Sequence, residues 1–368
     1  MNAIARRVSA RLTCLGNGFG TGIIALGLAA CSAMPPTVNT LDYEPLSLAP
    51  ASLVGVSDRR GEFREVFCLE EDADALPLRE ACESALRYFR SEVAATTAPT
   101  LRRELRSEYR VALAMGMGWD CMQDLIDGSE LPTTRLRDYG FDTLLLEVEG
   151  LSSSERNAQI IAEALRKAVA GGDERPFILV GYSKGATDIL VALQQHPDLL
   201  PYTAAFVSVA GAVGGSPVAE HTSGSTMAAL RHSPYGDCAD SDGTVLESLH
   251  PARRHAWLAD NLPLSVPTYS LVTAPEPERV SRALRSSYKL LGAVHPINDG
   301  ALLHWDQLMP GSTLLGYVNA DHWAVTVPIE VDDIPLGDFL VRNGFPRTRL
   351  WLAIADFVIA DLQAGIHK

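Results

Sequence analysis

The stretch Gly-Tyr-Ser-Lys-Gly at residues 181–185 places a small hydroxyl between two glycines. Four apolar residues, FILV at 177–180, precede it, and an apolar pattern of helical period follows at 184–195. These patterns predict a buried strand, a sharp turn and a helix, with the hydroxyl of Ser183 exposed at the turn. The small neighbours let the chain fold back without a clash. The helix N-terminus favours a negative charge that develops beside it, so Ser183 is a candidate nucleophile.

Such a serine needs a base, because its hydroxyl is a weak nucleophile until a neighbouring group accepts the proton. The preferred candidate is His322, within the sequence Asn-Ala-Asp-His-Trp that directly follows a predicted strand. A loop in that position brings an imidazole over the end of the sheet. His304, His295 and His255 remain alternatives.

A carboxylate is expected to orient the imidazole and to stabilise its charge. Asp299 lies in the turn-forming tripeptide Asn-Asp-Gly, 23 residues before His322. The same tripeptide is common in plain turns. Asp306, Asp240 and Asp242 therefore remain alternatives.

The serine turn, the later Asn-Asp-Gly and the Asp-His-Trp tripeptide together resemble the α/β-hydrolase superfamily. The interval from Asn-Asp-Gly to the histidine is similar to that of bacterial lipases. The resemblance spans roughly residues 110–365 and implies Ser183 as nucleophile, Asp299 as acid and His322 as base. Many members place the acid soon after a strand, whereas Asp299 lies 25 residues beyond Ala274, next to a predicted strand end.

The resemblance also implies an oxyanion hole made of two backbone N–H groups. One is expected from Lys184, directly after the nucleophile. The other is expected from Met117, in the Met-Gly-Met-Gly stretch at 115–118 after the first predicted strand. Superfamily members often have His-Gly where this chain has Met115-Gly116.

The rest of the chain alternates short apolar runs with helical patterns, which predicts an α/β fold: the α/β-hydrolase fold, with a mostly parallel sheet and helices on both faces. Strands are predicted at 111–115, 143–148, 177–181, 204–210, 269–273 and 313–318. Helices are predicted at 154–170, 184–195, 276–291 and 349–364, the last of them amphipathic. Residues 211–262 are rich in Gly, Ser, His and Pro and too long for a plain connection. They are interpreted as a lid-like insertion over the active site.

Residues 1–30 are interpreted as a signal peptide, with Arg6, Arg7 and Arg11 in a basic region ahead of a weakly apolar stretch. The Leu-Ala-Ala-Cys that ends at Cys31 resembles the lipobox of bacterial lipoproteins, and this resemblance implies lipidation of the cysteine and anchoring to the membrane. An ordinary secretory signal remains the alternative.

The following residue, Ser32, is not the aspartate that influences sorting in that family, so an outer-membrane lipoprotein facing the periplasm or the cell surface is expected. Residues 31–50 contain scattered prolines and are predicted to form a tether. Residues 51–109 form a charged segment with helical character, of unassigned role. The hydrolase domain is predicted at 110–368.

Four cysteines follow the tether, namely Cys68, Cys82, Cys121 and Cys238. An even number in an oxidising compartment favours disulfides over free thiols, and three pairings are possible. Proximity favours Cys68 with Cys82, and elimination then leaves Cys121 with Cys238.

The net charge of −14 argues against a nucleic-acid partner, because phosphate binding needs a basic surface. No metal-binding motif, phosphate loop or dinucleotide fingerprint occurs, so no metal and no cofactor are predicted. The alternating acids at 237–243 lack the glutamate of a calcium loop and are interpreted as a surface loop.

These observations predict a membrane-anchored serine hydrolase that cleaves carboxylic esters, resembling esterases and lipases, with a small-molecule or lipid ester as substrate. A peptidase or a thioesterase remains open within the same chemistry. The alternative from another class is a non-catalytic binding or envelope-assembly lipoprotein with a hydrolase fold.

Overall fold

A computed structural model describes residues 55–70, 82, 84–95, 99–233, 235–236, 238, 241–327 and 345–365. The predicted signal peptide, the tether, Cys31 and Asp240 lie outside the described residues. Among the described helices, none combines the length and the apolar character needed to cross a membrane.

Eight strands form one sheet in the described part of the chain. They are β1 (Ser57–Asp58), β2 (Leu86–Arg87), β3 (Arg110–Ala114), β4 (Asp142–Leu146), β5 (Phe177–Tyr182), β6 (Thr203–Val209), β7 (Thr268–Thr273) and β8 (Thr313–Val318). Their order is β1-β8-β7-β6-β5-β3-β4, and every neighbouring pair along this path is parallel. β2 pairs antiparallel with β8. The predicted α/β-hydrolase fold with a mostly parallel sheet is thereby confirmed.

Helices form many of the connections between the strands and pack against the sheet. The α-helices are α1 (Arg60–Leu69), α2 (Pro132–Asp138), α3 (Ser154–Ala170), α4 (Lys184–Gln195), α5 (Pro217–His221), α6 (Gly224–Arg231), α7 (Val245–Ser248), α8 (Pro251–Asn261), α9 (Arg285–Gly292) and α10 (Arg347–Ala364). Short 3₁₀ helices occupy Arg103–Glu108, Gln123–Leu125, Gly128–Glu130, Pro197–Tyr202, Pro277–Arg279, Arg282–Leu284 and His304–Gln307.

The alternation of side chains along the strands divides the core into two layers. Along β3, Val111 and Leu113 belong to the layer that contains α1 and α10, whereas Ala112 and Ala114 belong to the layer that contains α3 and α4. Such near-continuous apolar strands are expected of a parallel sheet that is covered on both faces. The sheet therefore holds the carboxyl ends of its strands at one edge, where loops meet.

The charged segment that precedes β3 contributes to this same sheet. β1 and β2 both pair with β8, and α1 packs against β8 and α10. The strands at 57–58 and 86–87 are too short to give an alternating apolar pattern, which explains why the sequence analysis did not predict them.

Two helix predictions differ from the structure. The predicted helix 276–291 is two 3₁₀ turns followed by α9, because Asp321 accepts hydrogen bonds from the backbone and hydroxyl of Ser281 and holds that residue extended. α10 is not amphipathic, since its side chains are buried from Thr348 to Asp361. Its buried acids are paired: Asp361 accepts from Tyr269 at 2.8 Å.

Candidate active site

The turn between β5 and α4 places Ser183 at the carboxyl end of the sheet. Its backbone lies at φ 55° and ψ −124°, a conformation that an L-residue rarely adopts and that strains the chain. Backbone bonds fix it: the amide of Ser183 donates to the carbonyl of Val209 at 3.1 Å, and the amide of Ala212 donates to the carbonyl of Ser183 at 2.9 Å. The segment after β6 thus fixes the strained turn.

The two flanking glycines are required by packing. A Cβ atom added at Gly181 would lie 2.5 Å from the backbone nitrogen of Ala186. A Cβ atom added at Gly185 would lie 2.6 Å from the carbonyl carbon of Ala114. Both contacts are shorter than van der Waals distance, so side chains at these positions would open the turn at Ser183.

Three side chains predicted from the sequence form one hydrogen-bonded chain. The Oγ atom of Ser183 lies 2.8 Å from Nε2 of His322, and Nδ1 of His322 lies 2.7 Å from Oδ2 of Asp299. His322 is buried apart from 5% of its surface and Asp299 is buried completely. The imidazole is therefore held between an acceptor and a hydroxyl with little access for competing water.

Asp299 is fixed by contacts at both carboxylate oxygens. Its Oδ1 accepts from the amides of Ala301 and Leu302 at 2.8 and 2.7 Å. Its Oδ2 accepts from the Thr273 hydroxyl at 2.6 Å as well as facing His322. Thr273 ends β7, so a hydrogen bond attaches the acid to a strand end although it lies far along the chain.

The backbone around His322 is held from two sides. Its amide donates to the carbonyl of Asp299 at 3.1 Å, and the Tyr182 hydroxyl donates to the carbonyl of His322 at 2.6 Å. Burial raises the pKa of Tyr182 well above its usual value, and the charges of Asp299 and Asp321 raise it further. The phenol therefore stays protonated and remains a donor. Sequence analysis missed this residue and Thr273, since only the fold brings them to the histidine.

The alternative acids and bases have other partners. Asp306 faces His255 at 3.5 Å, and this carboxylate raises the pKa of the imidazole. His304 packs against the rings of His295 and Trp305, with centroids 4.7 and 4.9 Å away. The pKa of His304 is lowered to about 4, chiefly by burial and also by the neighbouring His295. These side chains make no hydrogen bond to Ser183 or His322 within the described residues.

Asp242, the remaining alternative acid in the described residues, belongs to a surface turn. Its carboxylate accepts from the amide and hydroxyl of Ser153 at 3.0 and 2.7 Å and from the amide of Thr244 at 2.8 Å. Its pKa lies at about 2, because these hydrogen bonds outweigh the effect of burial.

Both predicted oxyanion donors lie on segments next to Ser183. Lys184 is the first residue of α4. Met117 follows Gly116, where an added Cβ atom would lie only 2.8 Å from Cβ of Ser183. The loop after β3 therefore runs directly beside the nucleophile, and glycine at 116 makes this approach possible.

A cavity of about 210 Å³ opens at Ser183 and His322. Apolar side chains from four regions line it: the loop after β3, the segment 211–262, the segment between β7 and β8, and the loop after β8. Members of these regions include Trp119, Met122, Val218, Leu249, Trp323 and Val327. The described lining residues include no aspartate, glutamate, lysine or arginine. Residues of the segment predicted as an insertion thus form part of the cavity wall.

The four predicted disulfide cysteines lie in two pairs at disulfide distance. The Cα atoms of Cys68 and Cys82 are 5.3 Å apart, and those of Cys121 and Cys238 are 4.9 Å apart. The second pair joins the loop after β3 to the segment 211–262, close to the cavity-lining residue Met122.

Comparison with known proteins gives related structures of esterases and lipases. The crystal structure of the metagenomic carboxyl esterase MGS0156 is 34% identical, with a TM-score of 0.74; the match covers 86% of this chain and 96% of that one. The lipase of Staphylococcus hyicus is 11% identical, with a TM-score of 0.53, over 74% of this chain and 100% of that one, which supports the fold alone. No protein-family model matches the sequence, and no curated protein matches it.

Proposed function

The chain belongs to the α/β-hydrolase family of the carboxyl esterases, and we propose that it hydrolyses carboxylic esters with a Ser183–His322–Asp299 triad. The observation that carries this proposal is the hydrogen-bonded chain at a strained strand-to-helix turn, with contacts of 2.8 and 2.7 Å. A nucleophile paired with a base, and the base paired with an orienting acid, is the arrangement that acyl transfer requires.

In the proposed reaction, Oγ of Ser183 attacks the ester carbonyl while Nε2 of His322 takes the hydroxyl proton. The tetrahedral intermediate collapses when the C–O bond to the alcohol breaks and the imidazolium returns the proton to the leaving oxygen. Water, activated by the same imidazole, then cleaves the acyl-enzyme and frees the acid and Ser183. Asp299 holds the imidazole tautomer and stabilises its charge throughout.

The negative oxygen of each tetrahedral intermediate needs preorganised donors. We assign this role to the backbone N–H groups of Lys184 and Met117. Their positions beside Ser183, at a helix N-terminus and in a glycine-containing loop, support the assignment.

The cavity supports an uncharged ester with an apolar acyl group of short to medium length. Its 210 Å³ is moderately larger than an apolar cavity of about 150 Å³ that holds benzene, which corresponds to an acyl group of up to about eight carbons. A charged acyl group finds no countercharge among the described lining residues. The part of the segment 211–262 that lines the cavity would then set the acyl preference.

Membrane anchoring is a separate part of the proposal. The Leu-Ala-Ala-Cys sequence behind a basic region supports lipidation of Cys31 and a bacterial envelope location. Cys31→Ser should release the protein from the membrane fraction or stop its maturation. Unchanged mass and unchanged membrane association would reject the anchor and leave the ester hydrolase proposal intact.

A fluorophosphonate probe tests the proposed mechanism. Wild-type protein should be labelled and should hydrolyse p-nitrophenyl esters. In a series of these esters from acetate to palmitate, turnover should fall once the acyl chain is longer than that of the medium-chain esters. Ser183→Ala should lose both properties. Ser208→Ala, a change at a buried serine of β6, serves as the control and should keep them. Absence of labelling in the folded wild type would favour the binding-module alternative.

A further inference from the structure

The side chain of Lys184 runs into the protein interior instead of toward solvent. It is 1% exposed, and its Nζ atom donates to both carboxylate oxygens of Asp188, at 2.7 and 2.8 Å. Asp188 is fully buried one turn later on α4. Lysine is almost never buried to this degree without a partner, so the residue after the nucleophile is committed to this ion pair.

Asp188 connects the ion pair to the loop after β4. Its Oδ2 accepts from Nδ2 of the fully buried Asn157 at 2.8 Å. The same amide group donates to the carbonyl of Glu149 at 2.9 Å and accepts from the amide of Glu149 at 3.0 Å. Asn157 therefore fixes the Glu149 backbone through both of its polar groups.

The loop after β4 in turn holds the loop after β3. The amide of Gly118 donates to the carbonyl of Gly150 at 3.1 Å, and the amide of Gly150 donates to Oδ2 of Asp120 at 3.0 Å. A Cβ atom added at Gly150 would lie 2.5 Å from the nitrogen of Gly118, so the two backbones are in direct contact. Gly118 is the neighbour of Met117. Hydrogen bonds, together with the peptide bond between Glu149 and Gly150, thus join Lys184 to the residue beside the second oxyanion donor.

We propose that Lys184, Asp188 and Asn157 form a buried brace that fixes the spacing of the two backbone segments carrying the oxyanion donors. The inference rests on the proposed function, because it gives these side chains a role in the same reaction. They are positioning residues, and they act through the backbones of Lys184 and Met117 without touching the substrate.

The energetics of buried ion pairs favour this role over a purely stabilising one. Desolvation offsets much of the attraction inside a protein, and an apolar pair of similar volume is often as stable. An apolar pair, however, offers no directional bond to Asn157. Donors to the oxyanion bind it more strongly in the transition state than in the ground state, so a shifted donor lowers kcat and leaves KM nearly unchanged.

The main test is the double variant Lys184→Met/Asp188→Leu, which removes both charges and keeps an apolar filling. We expect thermal stability near that of the wild type, kcat lowered by about 10- to 100-fold and KM changed by less than about threefold. The affinity for a trifluoromethyl ketone, whose adduct with Ser183 carries an oxyanion, should fall by the same factor as kcat/KM. A stable double variant with wild-type kcat and ketone affinity would overturn the brace.

A second variant covers the case in which the double variant does not fold. Asn157→Ala keeps the ion pair and removes its link to Glu149, so it should also lower kcat and ketone affinity; wild-type values would again reject the brace. The matched control is Arg106→Met, which breaks a buried ion pair with Asp356 away from the site and should lower stability without changing kcat.

The outcome also separates the brace from the proposed function. Loss of activity in Ser183→Ala together with normal kcat in the brace variants rejects only the brace. Full activity in folded Ser183→Ala rejects both.

Discussion

Two buried clusters of titratable side chains differ in how completely their polar atoms are partnered. Asp299 accepts hydrogen bonds from Ala301, Leu302 and Thr273 and faces His322, so both of its oxygens are used. The second cluster lies between α1 and α10, where Glu70 approaches another carboxylate and its Oε1 has no hydrogen-bond partner among the described residues. The first arrangement aligns His322 for proton transfer, whereas in the second the burial and mutual repulsion of two carboxylates destabilise the folded state.

The largest loss of activity is expected from substitutions of the nucleophile and the base. Ser183→Ala and His322→Ala should each lower kcat/KM for a p-nitrophenyl ester by roughly 10⁴-fold or more, because neither the acyl-enzyme nor the activated hydroxyl can form. The double variant should be little worse than either single variant, since the two residues act as one unit. Circular dichroism checks folding. A folded Ser183→Ala with wild-type turnover would show that the reaction uses another group.

Substitutions of Asp299 and Asp306 test which of these two carboxylates is the acid of the triad. Asp299→Asn should lower kcat by roughly 10³- to 10⁴-fold, because the amide can stabilise the wrong imidazole tautomer. Asp306→Asn should have a mild effect, since Asp306 faces the half-exposed His255 instead. Kinetics of both variants at one pH check the assignment. The reverse order of effects would transfer the role of the acid to Asp306.

A smaller effect on turnover is expected from a substitution of Thr273, which attaches Asp299 to the end of β7. Thr273→Val removes the hydroxyl that donates to Oδ2 of Asp299 at 2.6 Å and keeps the shape of the side chain. Turnover should fall by about 10- to 100-fold with KM nearly unchanged, since an interaction with a charged group contributes about 1.5–3 kcal/mol. Thr326→Val, which removes another buried hydroxyl, is the control. Equal kinetics of the two variants would mean that Thr273 does not position the acid.

The sequence predicted the parts of this molecule that depend on neighbouring residues. α3 and α4 begin and end as predicted, because the Ser153 cap of α3, the His196-Pro197 sequence after α4 and both apolar periods are local. The tripeptide around Asp299 was visible, but its bond to Thr273 was not, since the partners are 26 residues apart and meet only in the fold. The break at Ser281 was missed for the same reason: Asp321, which causes it, lies 40 residues away.

The smallest effect on activity is expected in the second cluster, where pH should change stability instead. The pKa of Glu70 is raised from 4.5 to about 7: burial and then the nearby Asp356 carboxylate raise it, and together they outweigh the opposing charges of Arg103 and Arg106. The folded state therefore holds this proton more tightly than the unfolded state does. Stability from this group is complete below pH 4.5 and is lost as the pH rises through about 7.

Glu70→Gln should remove this part of the pH dependence, because the amide stays neutral at every pH. Between about pH 5 and pH 8, the Tm of the variant should fall less than that of the wild type, by roughly 2–4 °C for each kcal/mol involved. Its kcat should equal that of the wild type, since the cluster has no contact with the hydrogen-bonded chain at Ser183. Parallel Tm curves would show that Glu70 titrates normally in the folded protein. A change in kcat at constant stability would mean that the two clusters are coupled, and the contrast between a fully and a partly hydrogen-bonded carboxylate would no longer separate function from stability.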